Sequence, residues 1–161
     1  MGSDTFVYTT YIRTTPDELW KALTDPELTR RYWGVAFESE WTPGAPMVWD
    51  ENGRRTTDPE QVVIAAEPGR LLSYTWHTFT PEWAEAVGLD RKVYARLARE
   101  RRSRATFDIE PSGDTVKLTV THGDLEPDGM MKGLIGEGWP ALISSLKSLL
   151  ETGEELPEPP R

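Results

Sequence analysis

Alternating apolar and polar positions predict seven β-strands along the 161-residue chain. In the first strand, residues 6–14, the side chains of Phe6, Tyr8 and Ile12 share one face. The other six predicted strands are residues 35–41, 47–51, 61–67, 71–77, 104–110 and 115–122. Pro-Gly and Asn-Gly dipeptides between several of them favour hairpins, so the pattern predicts an antiparallel sheet.

Three regions have helical spacing instead. Thr15 and Pro16 begin a short helix, and a second short helix follows directly. Residues 78–103 are helical in pattern and form an insertion between the fifth and sixth strands. Apolar residues from 135 to 149 recur at three- and four-residue steps, which predicts a long C-terminal helix with Pro140 in its first turn. This helix has the apolar stripe needed to cover the sheet, and a curved sheet around it leaves a cavity.

Composition narrows the classes of function. The chain has 27 acidic and 18 basic side chains, a net charge of −9 and no cysteine. The acidic balance argues against nucleic-acid binding, and the lack of cysteine excludes disulfides and thiolate chemistry. The apolar runs are too short to span a membrane. We therefore expect a cytoplasmic protein with one domain over residues 1–152 and a disordered, acidic, proline-rich tail over residues 153–161.

Several short segments, in order along the chain, resemble the SRPBCC or START-like superfamily. They are PDELWKALTDP at 16–26, YWG at 32–34, EPGRLLSYTW at 67–76, SRATF at 103–107, KLTVTH at 117–122 and GWPAL at 138–142. The similarity is to the branch named for the activator of the 90-kDa heat-shock-protein ATPase. It implies an α+β helix-grip fold, with a curved seven-stranded antiparallel sheet wrapped around the C-terminal helix. It also implies binding or conversion of hydrophobic small molecules such as lipids and polyketides.

The aromatic residues are candidates for the lining of such a cavity. Seven tryptophans are many for a chain of this length, and they either fill the core or line a pocket. The candidate ligand-binding residues are Trp33, Phe37, Trp49, Tyr74, Trp76, Phe107, His122, Met131, Ile135 and Trp139.

Candidates for catalysis are sparse. His122 shares a strand face with apolar residues and is predicted to point toward the cavity mouth, whereas His77 is predicted to face outward. Glu51 has the same strand parity as Trp49 and would pair with His122 as an acid/base couple; Tyr74 is a further candidate. Alternatively, His122 only ends a strand and Glu51 is a surface charge. With two histidines and no metal-binding spacing, no metal or cofactor is expected.

Three functions remain open at this point. The first is binding of a hydrophobic, lipid-like or aromatic small molecule; the second is a polyketide-cyclase-like or hydratase-like enzyme. The third is a protein-interaction module of the co-chaperone-like kind that the name of the branch suggests, although co-chaperone activity itself does not transfer from the resemblance; a homodimer is also open. Residues 91–104 hold seven of the 18 basic side chains, so this segment is a docking surface, a lid or simply a solvated helix.

Overall fold

The computed structural model describes residues 3–157 of the chain, which contain eight strands and five helices. In chain order these are β1 Asp4–Ile12, α1 Pro16–Thr24, α2 Pro26–Trp33, β2 Ala36–Glu38, β3 Val48–Glu51, β4 Arg54–Thr56, β5 Val63–Glu67, β6 Leu71–Thr75, α3 Pro81–Ala86, α4 Arg91–Arg99, β7 Arg104–Ser112, β8 Thr115–Leu125 and α5 Met130–Thr152.

The strands form two antiparallel sheets. The larger has the order β1-β8-β7-β6-β5, the smaller has the order β2-β3-β4, and an isolated bridge between Pro46 and Val62 links their ends. The predicted α+β helix-grip fold, with an antiparallel sheet and a long C-terminal helix, is confirmed. The single seven-stranded sheet is corrected to sheets of five and three strands among the described residues. The additional strand, β4, is Arg-Arg-Thr and has no apolar position that could have marked it.

The two short helices begin and end at the residues that the sequence marks. The Thr15 hydroxyl accepts a hydrogen bond from the backbone N–H of Glu18, and the Asp25 carboxylate accepts one from Glu27. Each helix has a proline in its first turn, and α2 ends at Gly34, whose φ of 82° is accessible to glycine without strain. α2 thus delivers Trp33 to the inner side of the fold.

Helix α5 begins earlier than predicted. It starts at Met130, so Pro140 lies in its interior rather than in its first turn. Its N-cap residue is Gly129, which has no capping side chain. The Glu100 carboxylate caps it instead and accepts hydrogen bonds from the N–H groups of Met130 (2.7 Å) and Met131 (3.2 Å). The capping residue is some thirty positions away in the sequence, so no local pattern indicates where the helix starts.

The insertion predicted at 78–103 is helical and consists of α3 and α4, capped by Thr80 and Asp90. The basic segment 91–104 is not one helix, however, because α4 ends at Arg99 and Arg104 begins β7. Three of its arginines form ion pairs with acids of the body: Arg101 with Glu126, Arg102 with Asp58, and Arg104 with Asp124.

The described part of the predicted tail, residues 153–157, contacts the body of the fold. The Arg31 guanidinium forms a 2.8 Å ion pair with Glu155, and the N–H of Leu156 donates to the Ser145 hydroxyl. The rest of that predicted tail, residues 158–161, lies outside the described residues. Within residues 3–157, no helix has the length and apolar character needed to cross a membrane.

Candidate functional site

A cavity of about 350 Å³ lies between α5, α3 and the segment that follows β6. Its wall is almost entirely aromatic and aliphatic. The lining residues are Trp33, Trp76, His77, Phe79, Trp83, Val87, Leu89, Met131, Leu134, Ile135, Gly138, Trp139 and Leu142. Val87 and Leu134 remain 44 % and 45 % exposed, so the cavity opens to solvent between α3 and the first turns of α5.

Half of the ten candidate ligand-binding residues lie on this wall. They are Trp33, Trp76, Met131, Ile135 and Trp139. Their indole rings contact one another: Trp33 lies 6.0 Å from Trp76 and 5.6 Å from Trp139, measured between ring centroids. Three parts of the chain that are distant in sequence, α2, the segment after β6 and α5, therefore contribute one aromatic surface.

Four of the other candidates form a buried layer behind the wall. Phe37, Trp49, Tyr74 and Phe107 do not line the cavity, and each is almost completely buried. Phe37 packs 5.0 Å from Trp33, and Trp49 packs 4.9 Å from Trp76. Strand parity correctly directs them inward, but parity does not distinguish the cavity wall from the layer that supports it.

His122 is enclosed rather than at the cavity mouth, which corrects its predicted position. Strand β8 continues to Leu125, so His122 lies within the strand, opposite Phe6 and Ala105. Its Nε2 lies 2.7 Å from the Ser103 hydroxyl, and its Nδ1 accepts a 3.1 Å hydrogen bond from the indole N–H of Trp139. Burial lowers the pKa of His122 to about 4, so the ring is neutral at pH 7.

The direction of these hydrogen bonds decides what His122 can do. An indole N–H only donates, so Nδ1 is the unprotonated nitrogen and Nε2 carries the hydrogen. Nε2 therefore donates to Ser103 and has no lone pair with which to remove the proton of that hydroxyl. The hydrogen-bonded chain Ser103–His122–Trp139 holds the Trp139 ring in place at the cavity wall and does not activate a nucleophile.

The proposed His122–Glu51 couple is also corrected. Glu51 lies in the β3–β4 hairpin and pairs with Arg54 at 3.7 Å, while the hydrogen-bond partners of His122 are Ser103 and Trp139. Partial burial raises the pKa of Glu51, and the charge of Arg54 opposes that effect.

Tyr74, the third catalytic candidate, is fully enclosed. Burial raises the pKa of its phenol, and the neighbouring Tyr32 adds to the rise, so the group keeps its proton at neutral pH.

His77 was predicted from the strand pattern to face outward, and this is wrong. It is only 7 % exposed and lines the cavity, because β6 ends at Thr75 and the alternation of side chains ends with it. The rings of Trp49, Phe79 and Trp83 surround the imidazole at centroid distances of 4.8, 4.8 and 5.4 Å. Its Nδ1 lies 3.0 Å from the backbone carbonyl oxygen of Thr78.

The surroundings of His77 keep its ring neutral. Burial, and to a smaller extent the charge of Arg102, lower the pKa of His77 to about 4, although the hydrogen bond to Thr78 acts in the opposite direction. Arg102 also fixes this segment: its guanidinium donates to the carbonyl oxygen of Trp76 (2.7 Å) and to the Thr78 hydroxyl (2.8 Å).

The insertion supplies the outer wall. Phe79, Trp83, Val87 and Leu89 face the cavity, and the rings of Phe79 and Trp83 pack at a tilt with their centroids 5.0 Å apart. The four-residue spacing of Trp83 and Val87 puts both side chains on one face of a helix, and this spacing is the sequence signal for this wall. The part of the insertion that lines the cavity is thus α3 and its flanking residues, and no residue of the basic helix α4 is on the wall.

A second, more polar chamber of about 250 Å³ adjoins the cavity. The two spaces share Trp76, His77, Phe79 and Met131 as lining residues. Arg101, Arg102 and several acidic and hydroxyl side chains line the rest of the chamber. His77 is therefore at the boundary between an apolar and a polar space.

Comparison with known proteins agrees with this architecture. The sequence profile of the family described as Activator of Hsp90 ATPase homolog 1-like protein matches residues 13–151. No curated protein matches the chain in sequence.

Solved structures with a similar fold include three bacterial proteins. MLL2253 from Mesorhizobium loti is 26 % identical, with a TM-score of 0.70 over 91 % of this chain and 96 % of that one. The Aha1 dimer from Colwellia psychrerythraea is 16 % identical, with a TM-score of 0.67 over 93 % and 98 % of the two chains. CalU16 from Micromonospora echinospora is 17 % identical, with a TM-score of 0.67 over 96 % and 78 %.

Proposed function

The chain belongs to the family of Activator of Hsp90 ATPase homolog 1-like proteins, and from the cavity within its fold we propose that it binds a hydrophobic small molecule. The observation that carries the proposal is the aromatic-lined space of about 350 Å³ between α3 and α5. Ligand pockets have volumes of roughly 300–1,000 Å³ and mostly apolar walls. The size and the chemistry of this space both match that class.

The wall supports binding in energetic terms as well. Water in a space lined by Trp33, Trp76 and Trp83 finds few hydrogen-bond partners, so an apolar ligand that displaces it gains affinity. The layer of rings behind the wall, including Trp49 and Phe107, holds the indoles in position before a ligand arrives. Such preorganisation lowers the entropic cost of binding.

Gly138 offers a direct test. It lines the cavity, and a Cβ at this position would meet no heavy atom within 4 Å, so Gly138→Leu fits and adds bulk beside the ligand. The matched control is Gly133→Leu, also in α5 and also free of contacts, but not part of the wall. Both changes remove a glycine from a helix, so the free energy of unfolding of each variant is expected to be unchanged or higher by up to about 1 kcal/mol.

The assay is the fluorescence of N-phenyl-1-naphthylamine, an uncharged probe that brightens in apolar surroundings. We expect the wild-type protein and Gly133→Leu to bind the probe equally, and Gly138→Leu to bind it at least about tenfold more weakly. Thermal melting confirms that both variants are folded. Equal binding by all three proteins, or no binding by the wild type, would contradict the proposal.

A further inference from the structure

The wall of the apolar cavity has four indole N–H groups and one imidazole, that of His77. The indole N–H groups can only donate hydrogen bonds, and the thioether of Met131 is only a weak acceptor. His77 differs from them because an imidazole in its neutral form has one nitrogen that accepts. The hydrogen bonds of His77 show which nitrogen that is.

The Thr78 carbonyl fixes the tautomer of His77. A carbonyl oxygen accepts and cannot donate, so Nδ1 carries the hydrogen in its 3.0 Å contact with Thr78. In the neutral ring, Nε2 on the other side then holds a lone pair. The imidazole of His77 is neutral because the rings of Trp49, Phe79 and Trp83 bury it and because Arg102 places a positive charge nearby.

Nε2 of His77 has no hydrogen-bond partner among residues 3–157. In the same part of the chain, the side-chain polar atoms that are both sealed from solvent and unpaired are Trp49 Nε1 and Arg102 Nε. Nε2 of His77 is not among these sealed atoms, so it is accessible from a cavity. The two cavities that His77 lines are the apolar cavity and the polar chamber. An acceptor that faces a cavity without a protein partner indicates what a ligand should supply.

We propose that the ligand is a hydrophobic alcohol or phenol whose hydroxyl group donates a hydrogen bond to Nε2 of His77 while its apolar body lies against the tryptophans. This inference rests on the proposed function and narrows the ligand class. A carboxylate is disfavoured, because its oxygens carry only lone pairs and would face the lone pair of Nε2. A pure hydrocarbon fits the wall but leaves Nε2 unpaired.

Three compounds that share the naphthalene ring system distinguish a hydrocarbon, a hydroxyl and a carboxylate ligand: 2-methylnaphthalene, 2-naphthol and 2-naphthoate. Isothermal titration of the wild-type protein is expected to show 2-naphthol binding about fivefold tighter than 2-methylnaphthalene, the effect of one net hydrogen bond of about 1 kcal/mol. Binding of 2-naphthoate is expected to be at least about tenfold weaker than that of 2-naphthol, because its carboxylate loses hydration and its lone pairs face the lone pair of Nε2.

Two variants assign the effect to His77. His77→Phe keeps a flat ring of similar size but removes the acceptor, so 2-naphthol should bind no better than 2-methylnaphthalene. His77→Gln keeps an acceptor oxygen and should retain part of the preference. If His77→Phe does not fold, the ¹⁵N resonance of Nε2 in the wild-type protein gives the same information: it should shift on addition of 2-naphthol and not of 2-methylnaphthalene.

The outcomes distinguish the two proposals. Equal binding of 2-naphthol and 2-methylnaphthalene, or a preference that persists in His77→Phe, overturns the hydroxyl inference but leaves hydrophobic binding intact. Tighter binding of 2-naphthoate overturns it in favour of an anion site. If the wild-type protein binds none of the three compounds, the proposed function itself fails.

Discussion

The two buried histidines make the stability of this protein depend on pH. His77 and His122 have pKa values lowered to about 4 in the folded protein, against about 6.5 in an unfolded chain. The unfolded state therefore takes up protons first as the pH falls. The stability associated with the neutral rings is fully present above about pH 6.5 and is lost as the pH falls through about 4.

The size of the effect follows from these values. The difference between about 6.5 and about 4 corresponds to about 3 kcal/mol for each histidine. Between about pH 7.5 and pH 5 the expected loss is about 2 kcal/mol for each, or about 4 kcal/mol together. Asp58 and Glu126 also have lowered pKa values, because of hydrogen bonds to their carboxylates, but they protonate below this range.

Urea unfolding followed by tryptophan fluorescence at several pH values measures this loss, and an NMR titration of the two imidazoles checks its origin. The variant His77→Gln should reduce the loss between about pH 7.5 and pH 5 by about half. A free energy of unfolding that stays constant over this range would refute the reasoning. So would imidazole resonances of the folded protein that titrate near the ordinary value of about 6.5.

Two further substitutions test particular contacts. Ser103→Ala leaves the Nε2–H of the fully buried His122 unpaired and should lower the free energy of unfolding by about 1–3 kcal/mol. The control is Ser73→Ala, which should lower it by less than about 1 kcal/mol, because its partner, the Thr106 hydroxyl, is half-buried and can turn to solvent. Equal costs in urea unfolding would contradict the enclosed hydrogen bond. Gly129→Ala would place a Cβ 2.6 Å from the Glu100 carboxylate that caps α5, so a loss of about 1–3 kcal/mol is expected. An unchanged thermal midpoint would show that this close approach is not required.

The elements with local signals were predictable from the sequence. Thr15 and Asp25 mark the starts of α1 and α2, Gly34 marks the end of α2, and alternation identifies the strands that pack on the core. Among the cavity-lining residues, Trp76, Ile135 and Trp139 could be named because strand parity and helical phase direct a side chain inward or outward, and Trp33 because it ends the second predicted helix.

What the sequence did not reveal depends on contacts between distant residues. The start of α5 is set by Glu100 across the fold, so the periodicity alone placed it too late, with Pro140 in the first turn. His77 and His122 were misplaced for one reason: parity holds only while a strand continues, and β6 ends before His77 whereas β8 extends beyond His122. The packing of α3 over the cavity mouth depends on tertiary contacts, which a local pattern does not contain.

The central claim is that the cavity beneath α3 binds an apolar ligand, and the indole N–H resonances of the protein test it most directly. Four of the seven tryptophans line the cavity, namely Trp33, Trp76, Trp83 and Trp139, while Trp20 and Trp41 do not. In ¹H–¹⁵N spectra recorded during titration with 2-naphthol, the account predicts saturable shifts of the four cavity resonances and little change in those of Trp20 and Trp41. Shifts confined to Trp20 and Trp41, or no saturable shift of any indole, would contradict it.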